Sequence, residues 1–153
     1  MQAWYRSRAL YETVMKLIQG SRFDEALKLA GDIPDVSVRS KALNEIVVEM
    51  AKTGRDYSEA LNRAIETALE IPGEGSTKSL MALAFDFLEV GKPDEALRIA
   101  GYITDLSNRS KVQAEVALAL ARRGDIEGAM KLINEILDED VKTWAMSRLA
   151  SEV

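Results

Sequence analysis

The sequence predicts an all-α fold, an α-α solenoid of about four and a half helix-turn-helix repeats forming a single domain over residues 1–153. Three observations predict it. A small hydroxyl residue, flanked mostly by basic ones, recurs at Ser7, Ser40, Thr77, Ser110 and Thr143, in steps of 33, 37, 33 and 33 residues. That period belongs to stacked helix pairs. Positions three, six, seven and ten residues beyond each anchor are mostly apolar, which is the spacing of one helix face. Finally, Gly20, Gly54, Gly91 and Gly124 follow these helices, and glycine readily takes the left-handed conformation that closes a helix.

The first helix of each repeat, helix A, carries the apolar stripe. It reads Leu10, Thr13, Val14, Leu17, then Leu43, Ile46, Val47, Met50, then Leu80, Leu83, Ala84, Phe87. The last two copies are Gln113, Val116, Ala117, Leu120 and Met146, Leu149, Ala150, Val153. Asp35, Asp105 and Asp138 lie five residues before their anchors and are expected to cap helix A by accepting first-turn amides. Helix B restarts at Ser21, at Pro93 in a first-turn position, or at Asp125. Its signature is Ala26-Leu27, Ala60-Leu61, Ala96-Leu97 and Ala129-Met130, with Ala30, Ala64, Ala100 and Ile133 four residues after each Ala. Small side chains on one face let helix axes approach closely. Gly31 and Gly101 either extend that smooth face or begin the exit from helix B.

The second repeat has one extra residue in its A–B turn and three more before Thr77. The Pro72-Gly73-Glu74-Gly75 stretch is therefore expected to be a longer, mobile loop. It is no domain boundary, because the repeat resumes in register. The total is five A helices and four B helices, the last A helix, residues 139–153, capping the array.

Composition narrows the chemistry. The chain has neither cysteine nor histidine, which removes disulfides, thiol nucleophiles, the commonest general base and the commonest metal ligands. No cofactor is expected. A net charge of −5 argues against nucleic-acid binding, which favours a basic excess. No apolar run approaches the roughly 20 residues that span a bilayer, so no membrane is expected. The Met1-Gln2-Ala3-Trp4-Tyr5-Arg6 start lacks the core of a signal peptide, and the expected location is the cytoplasm. Many Lys, Arg and Glu residues without Cys or His are compatible with a thermophilic source.

The period and turn resemble those of tetratricopeptide repeats. Gly54-Arg55-Asp56-Tyr57-Ser58-Glu59-Ala60-Leu61 is similar to that family's B-helix segment, and Pro72 falls near its closing proline. Leu80, Leu83, Ala84 and Phe87 stand where the family tends to have Trp, Leu, Gly and Tyr. The chain departs from the pattern in lacking the Trp and the A-helix Gly, and in carrying Ala64 or Ala100 for the mid-helix aromatic. The ankyrin turn is absent. A divergent member of this class is implied, with a right-handed superhelix whose A helices line a concave, peptide-binding groove. The resemblance implies no catalysis.

The residues just after the anchors, Arg8, Lys41, Lys78, Lys111 and then Trp144, lie nearly opposite the apolar stripe at 100° per residue. They are the candidate partner-binding set, a basic ladder suited to an acidic or C-terminal peptide. The competing and favoured reading is solvated i,i+4 pairing of Arg8–Glu12, Lys41–Glu45 and Lys111–Glu115. Lys78 faces Ala82 at that spacing, which makes it the ladder member of most interest. Arg6, Arg39, Arg109 and Lys142 precede the anchors. Asp35–Arg39, Asp105–Arg109 and Asp138–Lys142 are expected to pair cap with helix. Trp144 replaces a basic residue, either as an exposed anchor for a partner or as an indole over the terminal cap. Trp4 and Tyr5 pose the same choice, and a homodimer through end helices follows from the first.

Gly73-Glu74-Gly75 lacks the Lys-Ser/Thr of a phosphate loop. Glu135, Asp138, Glu139 and Asp140 do not have calcium-loop spacing, so no metal is expected. The expected function is a non-enzymatic protein–protein adaptor acting through its A helices. The alternatives are a self-associating scaffold, or a fragment of a longer array, joined through open ends, and a helical-repeat nucleic-acid binder supported only by the basic ladder.

Overall fold

The computed structural model describes residues 2–152; Val153, the last stripe position, lies outside them. Among the described residues there are nine α-helices and no strand. They are α1 (Gln2–Gln19), α2 (Phe23–Ala30), α3 (Val36–Lys52), α4 (Ser58–Glu70) and α5 (Glu74–Glu89), then α6 (Pro93–Ala100), α7 (Leu106–Arg122), α8 (Ile126–Asn134) and α9 (Glu139–Glu152). The odd-numbered helices are the five A helices and the even-numbered ones the four B helices. No described helix is long and apolar enough to cross a membrane.

Packing divides the chain into two compact units, Met1–Ser79 and Leu80–Val153, with the boundary inside α5. In the first, α1 lies against α2 and α3, and α3 also against α2 and α4. In the second, α7 lies against α6, α8 and α9, and α9 also against α8. Each unit therefore sets consecutive A helices side by side, each in contact with the B helices next to it.

The stripe is core in the middle of the chain. Leu43, Ile46, Val47 and Met50 of α3 and Leu80, Leu83, Ala84 and Phe87 of α5 are all buried. So are Ala26, Ala60, Ala96 and Ala129, and the residues four further on. At the last helix the expectation holds only at Leu149, which is buried: Met146 is 44% exposed and Ala150 is exposed, while Ala145, off the stripe, is buried. No described helix follows α9 to cover that face. Met130 is exposed as well, so the residue after each B-helix Ala is not a uniform core position.

The A-helix starts match the expected caps. Asp35, Asp105 and Asp138 accept from the backbone N–H groups of Val38, Asn108 and Val141 at 2.9–3.0 Å. The same residues explain the anchors. Ser7 Oγ accepts the backbone N–H of Asp35 at 3.0 Å, and Ser110 Oγ that of Asp138 at 3.4 Å. An anchor hydroxyl thus ties one A helix to the capping residue of the next.

Four A helices end in one arrangement, with a left-handed residue fourteen positions past the anchor and the next N–H reaching back five residues. Gly54, Gly91 and Gly124 occupy it with φ of 74°, 86° and 92°. In the first repeat the left-handed residue is Ser21, at φ 57°, and not Gly20. Ser21 accordingly closes α1 and does not cap α2, whose N-cap is Arg22 without a side-chain bond. Asp125 and Pro93 start their B helices as expected. Gly31 and Gly101 follow directly on α2 and α6 as C-caps, which decides for the helix exit. At Gly31 a Cβ would also lie 3.2 Å from the Arg63 guanidinium.

The expected longer loop is a short link, with Pro72 and Gly73 in it and Glu74 and Gly75 already in α5. The inserted residues lengthen α4 to 13 residues against 8 or 9 in the other B helices, leaving Ile71, Pro72 and Gly73 as the link to α5. Thr67, Ala68 and Ile71 are buried, so the extra turn gains core contacts before Pro72 stops it. Gly75 lies inside α5, where a Cβ would clash with Ile71 at 2.4 Å.

Two of the three expected cap-to-helix ion pairs are replaced. Arg39 donates to the Ile33 carbonyl at 2.6 Å, and Lys142 to the Asn134 carbonyl at 3.3 Å. Asp35 and Asp138 are engaged by amides, whereas the carbonyls at and just beyond the end of each B helix need donors, and basic residues suit that site.

Candidate functional site

Sequence spacing brings the ladder residues together in pairs within each unit. In the second unit, α5, α7 and α9 frame an open groove of about 460 Å³ lined by Met81, Phe85, Lys111, Glu115, Asp140, Val141 and Trp144. Every lining residue comes from an A helix. In the first unit, α1, α3 and the turn before α3 frame a smaller groove of about 220 Å³, lined by Trp4, Ser7, Arg8, Tyr11, Val38 and Lys41 together with Asp35. The two grooves share a register. Arg8 and Lys111 follow their anchors, Val38 and Val141 lie two residues before the next anchors, and Lys41 and Trp144 follow those.

Acidic side chains stand beside the basic ones in both grooves. Arg8 pairs with Glu12 at 3.3 Å, as expected, and also lies over the Trp4 ring at 5.6 Å. Lys41 does not turn to Glu45. Its ammonium sits 5.2 Å over the Tyr11 ring, and Glu45 accepts from the Tyr11 hydroxyl at 3.5 Å. An aromatic face attracts a cation as a carboxylate does, and here the ring is the partner within reach. Burial first, then the charge of Glu45 and its hydrogen bond, raise the Tyr11 pKa above the ordinary phenol value. In the larger groove Lys111 stands with Glu115 and Asp140 around an apolar floor.

Trp144 is 45% exposed and lines this groove, with Arg148 at 6.0 Å from its ring. Trp4 and Tyr5 are more exposed still, edge to face with centroids 4.9 Å apart. Lys78 is exposed on α5 and belongs to the lining of neither groove.

Met81, Phe85, Tyr11, Val38 and Val141 escaped the sequence reading. For Phe85 the signal was present as a second apolar row eight residues past the anchors, at Met15, Val48, Phe85 and Leu118, and for Val38 and Val141 as a valine two residues before the anchor. Tyr11 and Met81, four residues past theirs, share that position with Asn44, Ala114 and Ser147 and belong to no apolar row. Among the described residues, no three acidic side chains are grouped to hold a metal ion; Asp138 serves instead as a helix cap.

No protein-family model matches the chain, and neither a curated protein nor a solved structure does.

Proposed function

We propose that this protein is a non-enzymatic protein–protein interaction module of the tetratricopeptide-like class, binding a partner peptide or protein on its A-helix surface. In this reading the helix pairs stack as a right-handed α-α superhelix with the A helices on the concave side, and the protein works in the cytoplasm. The observation that carries it is the groove framed by α5, α7 and α9. Met81, Phe85, Val141 and Trp144 supply apolar lining, and Lys111, Glu115 and Asp140 add charged groups to it. Interfaces concentrate binding energy in such aromatic anchors, with a polar rim setting orientation. With no histidine or cysteine in the chain, the side chains most used for general-base and thiol chemistry are missing.

Selection of displayed peptides on the wild-type protein tests the reading. Enriched peptides should share a bulky apolar residue and lose at least about tenfold in affinity, or 1.4 kcal/mol, toward Trp144→Ala. Failure to enrich any sequence, or binding to Trp144→Ala and Phe85→Ala as tight as to the wild type, would remove the groove as the binding surface.

A further inference from the structure

The two end A helices show opposite faces of the repeat. The position two residues past the anchor is buried at Ala42 of α3, Val112 of α7 and Ala145 of α9, and half-buried at Ser79 of α5. Only Ala9 of α1 is exposed there. Seven residues past the anchor the pattern reverses: Val14, Val47, Ala84 and Ala117 are buried and only Ala150 of α9 is exposed. In α3 and α9 the first position is covered while helices earlier in the chain pack on them, and among the described residues no helix packs on α1 in that way. One end therefore presents the face that a preceding A helix covers elsewhere, and the other presents the face that a following one covers.

We propose that a second copy of this chain covers these two exposed faces, its α1 packing on α9 as α3 packs on α1. Charge favours this pairing over like-with-like contact. α1 carries Arg6, Arg8 and Lys16 against Glu12, whereas Glu135, Asp138, Glu139 and Asp140 gather at the α8–α9 turn against Lys142. Register favours it too. Continuing the spacing of the two grooves, where Arg8 stands with Val38 and Lys111 with Val141, sets Trp144 beside Tyr5 and Arg8 of the second copy. The large exposed aromatics of both ends are then covered together, and Thr143 Oγ faces the Gln2 N–H as Ser7 Oγ faces that of Asp35. The contact joins two different patches, so each chain keeps one of each to offer further copies.

Sedimentation equilibrium on the full chain tests this, with Ala9→Glu and Ala150→Glu as variants at exposed positions whose helicity is checked by circular dichroism. Wild-type mass should rise above the monomer with concentration, and less so in high salt. Each variant alone should stay monomeric, and an equimolar mixture should form a one-to-one dimer through the one intact pair of faces. A wild type that remains monomeric up to millimolar concentration overturns the proposal. So does self-association of Ala9→Glu alone, which would mean α9 meeting α9, or of Ala150→Glu alone, which would mean α1 meeting α1.

Discussion

Ser7 Oγ accepts the backbone N–H of Asp35, twenty-eight residues on, at 3.0 Å, and Ser110 repeats the bond to Asp138 at 3.4 Å. Asp35 and Asp138 meanwhile cap the helices they begin, so one residue closes a helix start and joins it to its neighbour. In the second repeat the equivalent of Asp35 is Pro72, which has no N–H to give. Ser40 turns instead to Ser79, with the two hydroxyls 2.6 Å apart.

Replacing Ser7 or Ser110 by Ala removes the acceptor and should lower stability by about 1 kcal/mol each, the usual net worth of such a bond. Thr143 holds the same place in α9 but is exposed, and Thr143→Ala should stay within about 0.5 kcal/mol of wild type. Urea midpoints at constant m-value make the comparison. Equal losses at all three positions would mean the anchors act through helix propensity and not through the contact between helices.

The anchors were legible as a period long before they had a role. Spacing along one helix is readable from a sequence, and that is why the helices and the Asp caps emerge from it. The partner of Ser7 is not, because it depends on which helix start comes to lie beside α1. Arg39 shows the same limit. Four residues from Asp35, it fits an ion pair on paper, but the carbonyl of Ile33 is a competing acceptor that exists only once α2 ends beside it. The inserted residues show it too: Pro72 and Gly73 mark the turn correctly, while the burial of Thr67, Ala68 and Ile71 that prolongs α4 and shortens the loop is a tertiary effect.

Ser21 holds a left-handed backbone at the position where three other repeats have glycine. That conformation costs a side-chain-bearing residue about 1–2 kcal/mol, part of which glycine loses again through its greater freedom when unfolded. Ser21→Gly should therefore stabilise the protein by up to about 1 kcal/mol, and Gly91→Ser should destabilise it. Thermal unfolding of the two variants checks the sign. Destabilisation by Ser21→Gly would mean the serine hydroxyl contributes more than the strain it accompanies.

Leu83 and Phe87 are fully buried on the α5 stripe. Leu83→Ala should cost about 2–5 kcal/mol and Phe87→Ala about 3–5, from lost transfer energy plus the cavity left behind. Met146→Ala, on the exposed end of the same register, should cost far less. Chemical denaturation separates them, and a small loss at Leu83 would contradict the core register.

Tyr11 predicts a dependence on alkaline pH. Its folded pKa lies above the ordinary value, so the stability it contributes is complete below about pH 10 and is lost as pH rises through the folded value. Glu45→Gln removes the charge but leaves the burial that is the larger cause. The phenol should then titrate lower than in wild type, yet still above an ordinary tyrosine. The difference in tyrosinate absorbance between each protein and its Tyr11→Phe counterpart isolates this group. An unchanged midpoint in Glu45→Gln would leave burial as the whole cause.

Lys78 separates two versions of the binding surface. It follows an anchor as Lys41 and Lys111 do, but Ala82 stands where they have a glutamate, and its side chain is exposed. Reversing an exposed charge changes stability by no more than about 0.5 kcal/mol, so an effect of Lys78→Glu on affinity is read without a folding correction. If the partner is held by a row of cations, Lys78→Glu should weaken binding of a selected peptide and flatten its salt dependence, since interface charges are screened by added salt. If the apolar floor around Phe85 and Trp144 carries the binding alone, affinity toward Lys78→Glu stays at the wild-type value while Trp144→Ala still loses it. Isothermal titration of one peptide against the two variants decides between a charged ladder and an aromatic groove.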